Sequence, residues 1–235
     1  QAISELIADG VHSYLGVPLI AGNETLGVLS LFRKVQNRKF KDQDRFLAEI
    51  IARQAGIAIQ NANRYEEAHR LATRDSLTNL YNRRHFFELA SREFDRARRY
   101  SRELTAIMLD LDNLKQINDT FGHQTGDRAL QLVAQTCMQS VRRPDLIGRY
   151  GGDEFVILLP ETNLANAVAL GQRLLNCVKQ NILENEGAQI TLSISLGVAE
   201  MIDSMRNLET LIEHADQAQY QAKHSGKGRL NVWGE

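Results

Sequence analysis

The alternation of apolar and polar positions divides the chain into stretches of different period. Residues 13–34 alternate with period two in "SYLGVPLI" and "TLGVLSLFRK", on either side of Ala21-Gly22-Asn23. That pattern predicts two strands joined by a hairpin turn. From Lys41 to about Arg74 the spacing changes to three and four, with Leu47, Ile51, Ala55, Ala58, Ala62, Tyr65, Ala68 and Ala72 on one narrow stripe and no Pro to break it. This predicts one long helix, whose Ala-rich stripe suits either pairing with another helix or packing on its own domain. "RDSLTNLYNRR" interrupts it, with Asp75 and Ser76 as candidate caps for a helix from His85 to about Tyr100.

Beyond Tyr100 strands and helices mix. "LTAIMLDLD" reads as a strand ending in carboxylates, and "GDRALQLVAQTCMQSV" as an amphipathic helix. "LIGRYGG" and "DEFVILLP" read as a hairpin about the glycines, followed by a helix in "NLANAVALGQRLLNCVKQNI". "ITLSISLGVAE" places Ile190, Leu192, Ile194, Leu196 and Val198 on one strand face, and a last helix ends at Gly226. The order predicts an α+β domain with helices packed on a largely antiparallel sheet.

Composition narrows the function. The 235 residues are 43% hydrophobic with a net charge of −1, enough for a real core and no basis for broad nucleic-acid or membrane binding. The only cysteines, Cys137 and Cys177, lie in helical apolar patterns and read as reduced core thiols of a cytoplasmic protein. The six His show no zinc-ligand spacing, and no apolar run is long enough for a membrane span or a signal peptide. Gln1 stands where an initiator Met would, so the chain reads as a segment of a longer protein.

The chemistry concentrates in "RYGGDEF", Arg149–Phe155, where two glycines precede two adjacent carboxylates. Like charges side by side are costly unless a positive charge sits with them. Asp110 and Asp112 end a strand, and Asp153 and Glu154 stand at a hairpin tip, so neighbouring strands would bring Asp110 and Asp153 to one sheet edge. Hard oxygen ligands of this kind suit Mg²⁺, with Mn²⁺ as the alternative, its shell completed by water and substrate phosphates. Gly151 and Gly152 would let a triphosphate approach the backbone, and Lys115, Lys223 and Lys227 are candidates to neutralise it. Asp-x-Asp alone is usually a solvated strand end; together with Gly-Gly-Asp-Glu it favours a nucleotide site. No G-x-x-x-x-G-K-[ST] stretch is present, so the site is not a P-loop.

Five motifs in order, "DSLTNLYNRR", "LDLDNLKQINDTFGHQTGD", "RRPDLIGRYGGDEF", "TLSISLGVA" and "ADQAQYQAKHSGKG", make residues 75–233 resemble a GGDEF domain, the family of diguanylate cyclases. "GVPLIAGNETLGVLSLF" and "RFLAEIIARQAGIAIQNANRYEEA" resemble the C-terminal half of a GAF domain. The resemblance divides the chain into a partial GAF-like sensory segment (1–62), a helical linker (63–74) and a cyclase domain (75–235). It implies a ferredoxin-like βαββαβ core, related to the palm of polymerases and nucleotidyl cyclases. It also implies a nucleotidyltransferase that joins two GTP into cyclic di-GMP with release of two pyrophosphates, in a two-fold homodimer because each protomer holds one GTP.

By position, the resemblance makes Asp110, the Leu111 carbonyl and Asp153 the metal ligands, Asp153 the general base and Glu154 a supporting acid. Asn118 and Asp127 would read guanine; the Asp carboxylate accepts from guanine N–H groups that adenine lacks in that arrangement, which favours GTP over a mixed product. The backbone at Asn113, Leu114 and Lys115, with Gly151, Gly152, Lys223 and Lys227, would hold the phosphates. Leu114 and Lys227 depart from the family's usual Phe and Arg, and Lys227 loses the bidentate fork. The intact acids argue against a non-catalytic nucleotide receptor. Asp75 and Arg149 resemble a pair that anchors the turn after the linker, expected within about 4 Å of each other. Arg142 and Asp145 form an R-x-x-D at the offset of the family's inhibitory site, with Arg173 as a second arginine, so cyclic di-GMP would be both product and inhibitor.

Overall fold

In a computed structural model that describes residues 10–36, 38–185 and 187–234, the chain forms two units, Gln1–Arg70 and Leu71–Glu235. In the first unit, β1 (Ser13–Ala21) and β2 (Glu24–Arg33) pair antiparallel about a turn whose Gly22 has φ +61°. One hairpin face, with Leu15, Val17, Leu19, Leu29 and Leu31, meets Ala48 and Ala52 of α1 (Asp42–Thr73). The helix comes so close that a Cβ at Gly56 would lie 2.7 Å from the Ile20 carbonyl oxygen. The packing face is therefore Ala48–Ala52–Gly56. The stripe expected from the sequence is rotated off it, with Leu47, Ile51 and Tyr65 exposed. A small residue every fourth position lets backbones approach; larger neighbours on the helix cannot.

The second unit is built on a six-stranded sheet. Its strands are β3 (Tyr81–Asn82), β4 (Leu104–Leu111), β5 (Leu146–Arg149), β6 (Glu154–Pro160), β9 (Ile194–Glu200) and β10 (Leu230–Val232), in the order β10-β9-β4-β6-β5-β3. Helices α2 (Arg83–Tyr100) and α6 (Leu208–His224) supply one core, which takes Ala106, Met108, Val156 and Leu158 from the sheet. Helices α4 (His123–Ser140) and α5 (Leu164–Gln180) supply the other, with Ile107, Leu109, Phe155 and Ile157. Every residue of β4 is buried, as a near-continuous apolar run covered on both faces requires. Burying each such Leu, Ile or Phe contributes about 1.5–3 kcal/mol. The strands β9-β4-β6-β5 with their helices follow the ferredoxin-like βαββαβ order.

Two local expectations are corrected, and two features are added. The helix after the linker is capped by Asn82, whose side chain accepts from the His85 N–H, while Asp75 instead closes the preceding turn by accepting from Thr78 N and Oγ1. "ITLSISLGVAE" is two strands: β8 (Ala188–Thr191) pairs with β7 (Ile182–Asn185), and β9 starts afresh at Ile194. The alternation still holds, because Ile190, Leu192, Ile194, Leu196 and Val198 all enter one core. A short helix, α3 (Leu114–Phe121), precedes α4. The sheet is antiparallel at its centre but parallel at both edges, β10 on β9 and β3 on β5.

Candidate active site

The antiparallel register of β4 and β6 sets Asp110 directly opposite Glu154. Asp153, one residue before β6, is tied to β4 by a hydrogen bond from Leu111 N to its carbonyl at 3.1 Å. The tip of the β5–β6 hairpin is closed by Tyr150 N and Gly151 N donating to the Glu154 carbonyl, at 2.9 and 3.3 Å. A Cβ at Gly151 would lie 2.5 Å from Glu154 Oε2 and would push that side chain aside, whereas the space at Gly152 is open. Arg149 braces the tip: Nη2 donates to the Gly152 carbonyl at 2.7 Å, and Nη1 to both Asp75 carboxylate oxygens at 3.0 and 3.2 Å. The Asp75–Arg149 contact expected from the sequence is present.

Asp110 is buried. Burial is the main cause that pushes its carboxyl up to about 7; the Lys223 ammonium pulls it back, and the Asp153 and Glu154 carboxylates push it further. Lys223 Nζ lies 2.6 Å from Asp110 Oδ2, so this lysine stands against the metal-ligand candidate. Asp110 Oδ1 has no hydrogen-bond donor among the described residues. Glu154 is also raised, first by burial and then by Asp216 and Asp153, with Lys223 and Arg83 opposing. Three carboxylates against one ammonium leave net negative charge, and a buried carboxylate oxygen is left unpaired. Both fit a hard divalent cation. No group of three or more His, Cys, Asp or Glu forms a ready-made cage among the described residues, so a cation would draw further ligands from a backbone carbonyl, water or phosphate.

The other residues expected from the sequence to bind nucleotide lie mostly in and around α3. Asn113 enters it with φ +61°, and Lys115 lies exposed in its first turn, beside the half-buried Leu114. Asn118 Oδ1 is buried without a partner, and Gly126 accommodates it: a Cβ there would lie 1.8 Å from that oxygen. Asp127, next to Gly126, is exposed. Lys227 reaches back to α3, its Nζ donating to Asn113 Oδ1 at 2.7 Å. Arg142, Asp145 and Arg173 line one cavity of 170 Å³. There Asp145 Oδ2 accepts from Arg142 N at 2.7 Å and Arg173 donates to the Ser140 carbonyl at 2.8 Å. Burial raises the Asp145 carboxyl, against the pull of Arg142.

Sequence reasoning missed Asp216 and the role of Asp112. Asp216 lines an 840 Å³ cleft with Arg83, Phe87, Tyr150 and Glu213, and burial raises its carboxyl against the pull of Lys223. Asp112 was visible as the second carboxylate of "DLD", yet its hydrogen-bond partners come from the distant residues 193, 195 and 228.

The family profile described as "Diguanylate cyclase, GGDEF domain" matches residues 72–229, and that described as "GAF domain" matches residues 3–59. "Diguanylate cyclase A" of Treponema denticola is 32% identical over 220 residues, covering 92% of this chain and 58% of that protein. "Probable diguanylate cyclase DgcC" of Escherichia coli K12 is 36% identical over 180 residues, covering 75% and 48%. The chain thus spans about half the length of these relatives. The crystal structure of the coiled coil and GGDEF domain of DgcB from Caulobacter crescentus, in complex with c-di-GMP, superposes with a TM-score of 0.70 at 27% identity, covering 82% of this chain and 100% of that one.

Proposed function

Since the chain belongs to the GGDEF family of diguanylate cyclases, we propose that it condenses two GTP into cyclic di-GMP and two pyrophosphates. The observation that carries this reading is the register of Asp110 against Glu154, with Asp153 at the adjoining tip and an unpaired, buried Asp110 oxygen. The 3′-oxygen of each GTP attacks the α-phosphorus of the other, and at each phosphorus the bond to the pyrophosphate oxygen breaks in line. An oxygen of the Asp153 carboxylate takes the hydroxyl proton. Asp110, the Leu111 carbonyl and Asp153 would hold Mg²⁺ or Mn²⁺, which supplies charge stabilisation and a more acidic hydroxyl. Glu154 adds negative charge that keeps the cation in place.

Asn118 and Asp127 bind the guanine, and the unpaired Asn118 oxygen is suited to accept a guanine N–H. The amides opening α3, the open backbone at Gly152, Lys115, Lys223 and Lys227 bind the phosphates. Lys223 exchanges its Asp110 partner for phosphate when nucleotide and cation enter. Two such domains must face each other, and the exposed Leu47–Ile51–Tyr65 stripe suits pairing of α1 from two chains. In this reading residues 1–62 sense, 63–74 transmit and 75–235 catalyse, in the cytoplasm. No helix among the described residues is long and apolar enough to cross a membrane. Cyclic di-GMP inhibits by binding Arg142, Asp145 and Arg173, whose shared cavity supports that assignment. Incubation with GTP and Mg²⁺ should yield cyclic di-GMP, and ATP should yield none; absence of product from the dimer would refute the assignment.

A further inference from the structure

Asp112 lies two residues beyond Asp110 and is only 3% exposed, and protein donors take up both of its carboxylate oxygens. Its Oδ1 accepts from Ser195 Oγ at 2.7 Å; its Oδ2 accepts from Ser193 Oγ at 2.7 Å and from Gly228 N at 3.1 Å. Its own N–H donates to the Ser193 carbonyl at 2.9 Å. Three separate segments therefore meet on one side chain: the end of β4, the start of β9 and the loop after α6.

That loop is conformationally demanding. Gly226, Lys227 and Gly228 all have positive φ, +123°, +59° and +60°, and Lys227 has a side chain that disfavours this region. Such a conformation persists only where its surroundings hold it. The holds include Lys227 N to the Ala222 carbonyl at 3.2 Å, Lys227 Nζ to Asn113 Oδ1 at 2.7 Å, and Gly228 N to Asp112, with Leu196 N donating to the Arg229 carbonyl at 2.9 Å just beyond. Asp112 is also bonded through the chain to Leu111 on one side and Asn113 on the other.

We infer that Asp112 is a positioning residue: its carboxylate locks the Gly226–Gly228 loop onto the end of β4, so that Lys227 is presented at a fixed place relative to Asp110, Leu111 and the opening of α3. The consequence for nucleotide binding rests on the proposed cyclase activity; the consequence for the loop does not. Removing the carboxylate frees Gly228 N and the loop opens, while the strand retains its ladder. An amide at the same place keeps an oxygen for Gly228 N, and the Ser195 hydroxyl can turn to accept from the NH₂ group.

The test compares the parent chain with Asp112→Ala and Asp112→Asn. Its readouts are the rate of tryptic cleavage after Lys227, amide exchange at Gly228, and kcat and KM for GTP. In Asp112→Ala cleavage and exchange should rise about tenfold, and KM should rise about tenfold with a smaller fall in kcat. Asp112→Asn should restore most of each. If Asp112→Ala does not fold, Ser193→Ala takes its place and should move the same readouts by about threefold. Lowered stability with parent-like Lys227 protection and KM overturns the inference, as does failure of Asp112→Asn to restore protection. A parent that makes no cyclic di-GMP fails the cyclase reading alone, because cleavage and exchange still report on Asp112.

Discussion

The two edges of the Asp110–Asp112 segment hold carboxylates with opposite fates. Towards β6, Asp110 is buried with one oxygen unpaired, among Asp153, Glu154 and a single ammonium. Towards β9, Asp112 is equally buried and accepts three hydrogen bonds. Burial of a charge costs free energy in both places, but only at Asp112 do fixed donors offset it. An edge left unsatisfied is one prepared for something that arrives from solution. A satisfied edge holds the scaffold.

The sharpest way to break this contrast is activity. Asp153→Ala and Asp110→Asn should each lower cyclic di-GMP formation by about a thousandfold or more, with an unchanged circular dichroism spectrum; near-parental turnover would mean that the acids are not the centre. Stability should move the other way at the second edge. Asp112→Ala should lower the free energy of unfolding by about 3 kcal/mol, because two serine hydroxyls and an amide lose their acceptor, read from the denaturant midpoint.

The pH dependence separates the edges further. Asp110 titrates at about 7 in the fold against an ordinary 3.8, so the native state takes up a proton that the unfolded chain does not hold. Without added divalent cation, stability should therefore rise as pH falls from 8 to 5, by about 3 kcal/mol from this group. Asp110→Asn should flatten that rise and stabilise the protein at pH 8. Raised Glu154 and Asp216 carboxyls act in the same direction, so part of the slope remains in that variant. A slope unchanged in Asp110→Asn would show that its burial is not the cause.

Two smaller effects lie outside the edges. Arg142→Ala should weaken cyclic di-GMP binding and relieve product inhibition without lowering the initial rate; inhibition equal to the parent's would place the site elsewhere. Arg149→Ala removes the brace between Asp75 and the Gly152 carbonyl and should cost about 1–2 kcal/mol, seen as a lower Tm.

Much of this was legible in the chain. Period-two runs placed β1 and β2, near-continuous apolar runs placed β4 and β6, and helical spacing placed α1, α4, α5 and α6, because each long element must bury its apolar residues. The motif order named the acids, and the offset of Arg142–Asp145 from the glycines marked a second cluster. Short edge strands were not legible: two residues in β3 and three in β10 carry no period. Nor was the packing face of α1, since the contrast between Ala48–Ala52–Gly56 and Leu47–Ile51 depends on how closely the hairpin approaches.

The amino-acid sequence by itself determined which residues are acidic, which long elements form and which family the chain joins, since these rest on local spacing. Only the tertiary structure decided which carboxylate of "DLD" is left open and which is bound. That choice depends on strand register, which sets Asp110 opposite Glu154, and on hydroxyls more than eighty residues away that reach Asp112. Two aspartates with one residue between them are chemically the same until the sheet supplies their neighbours.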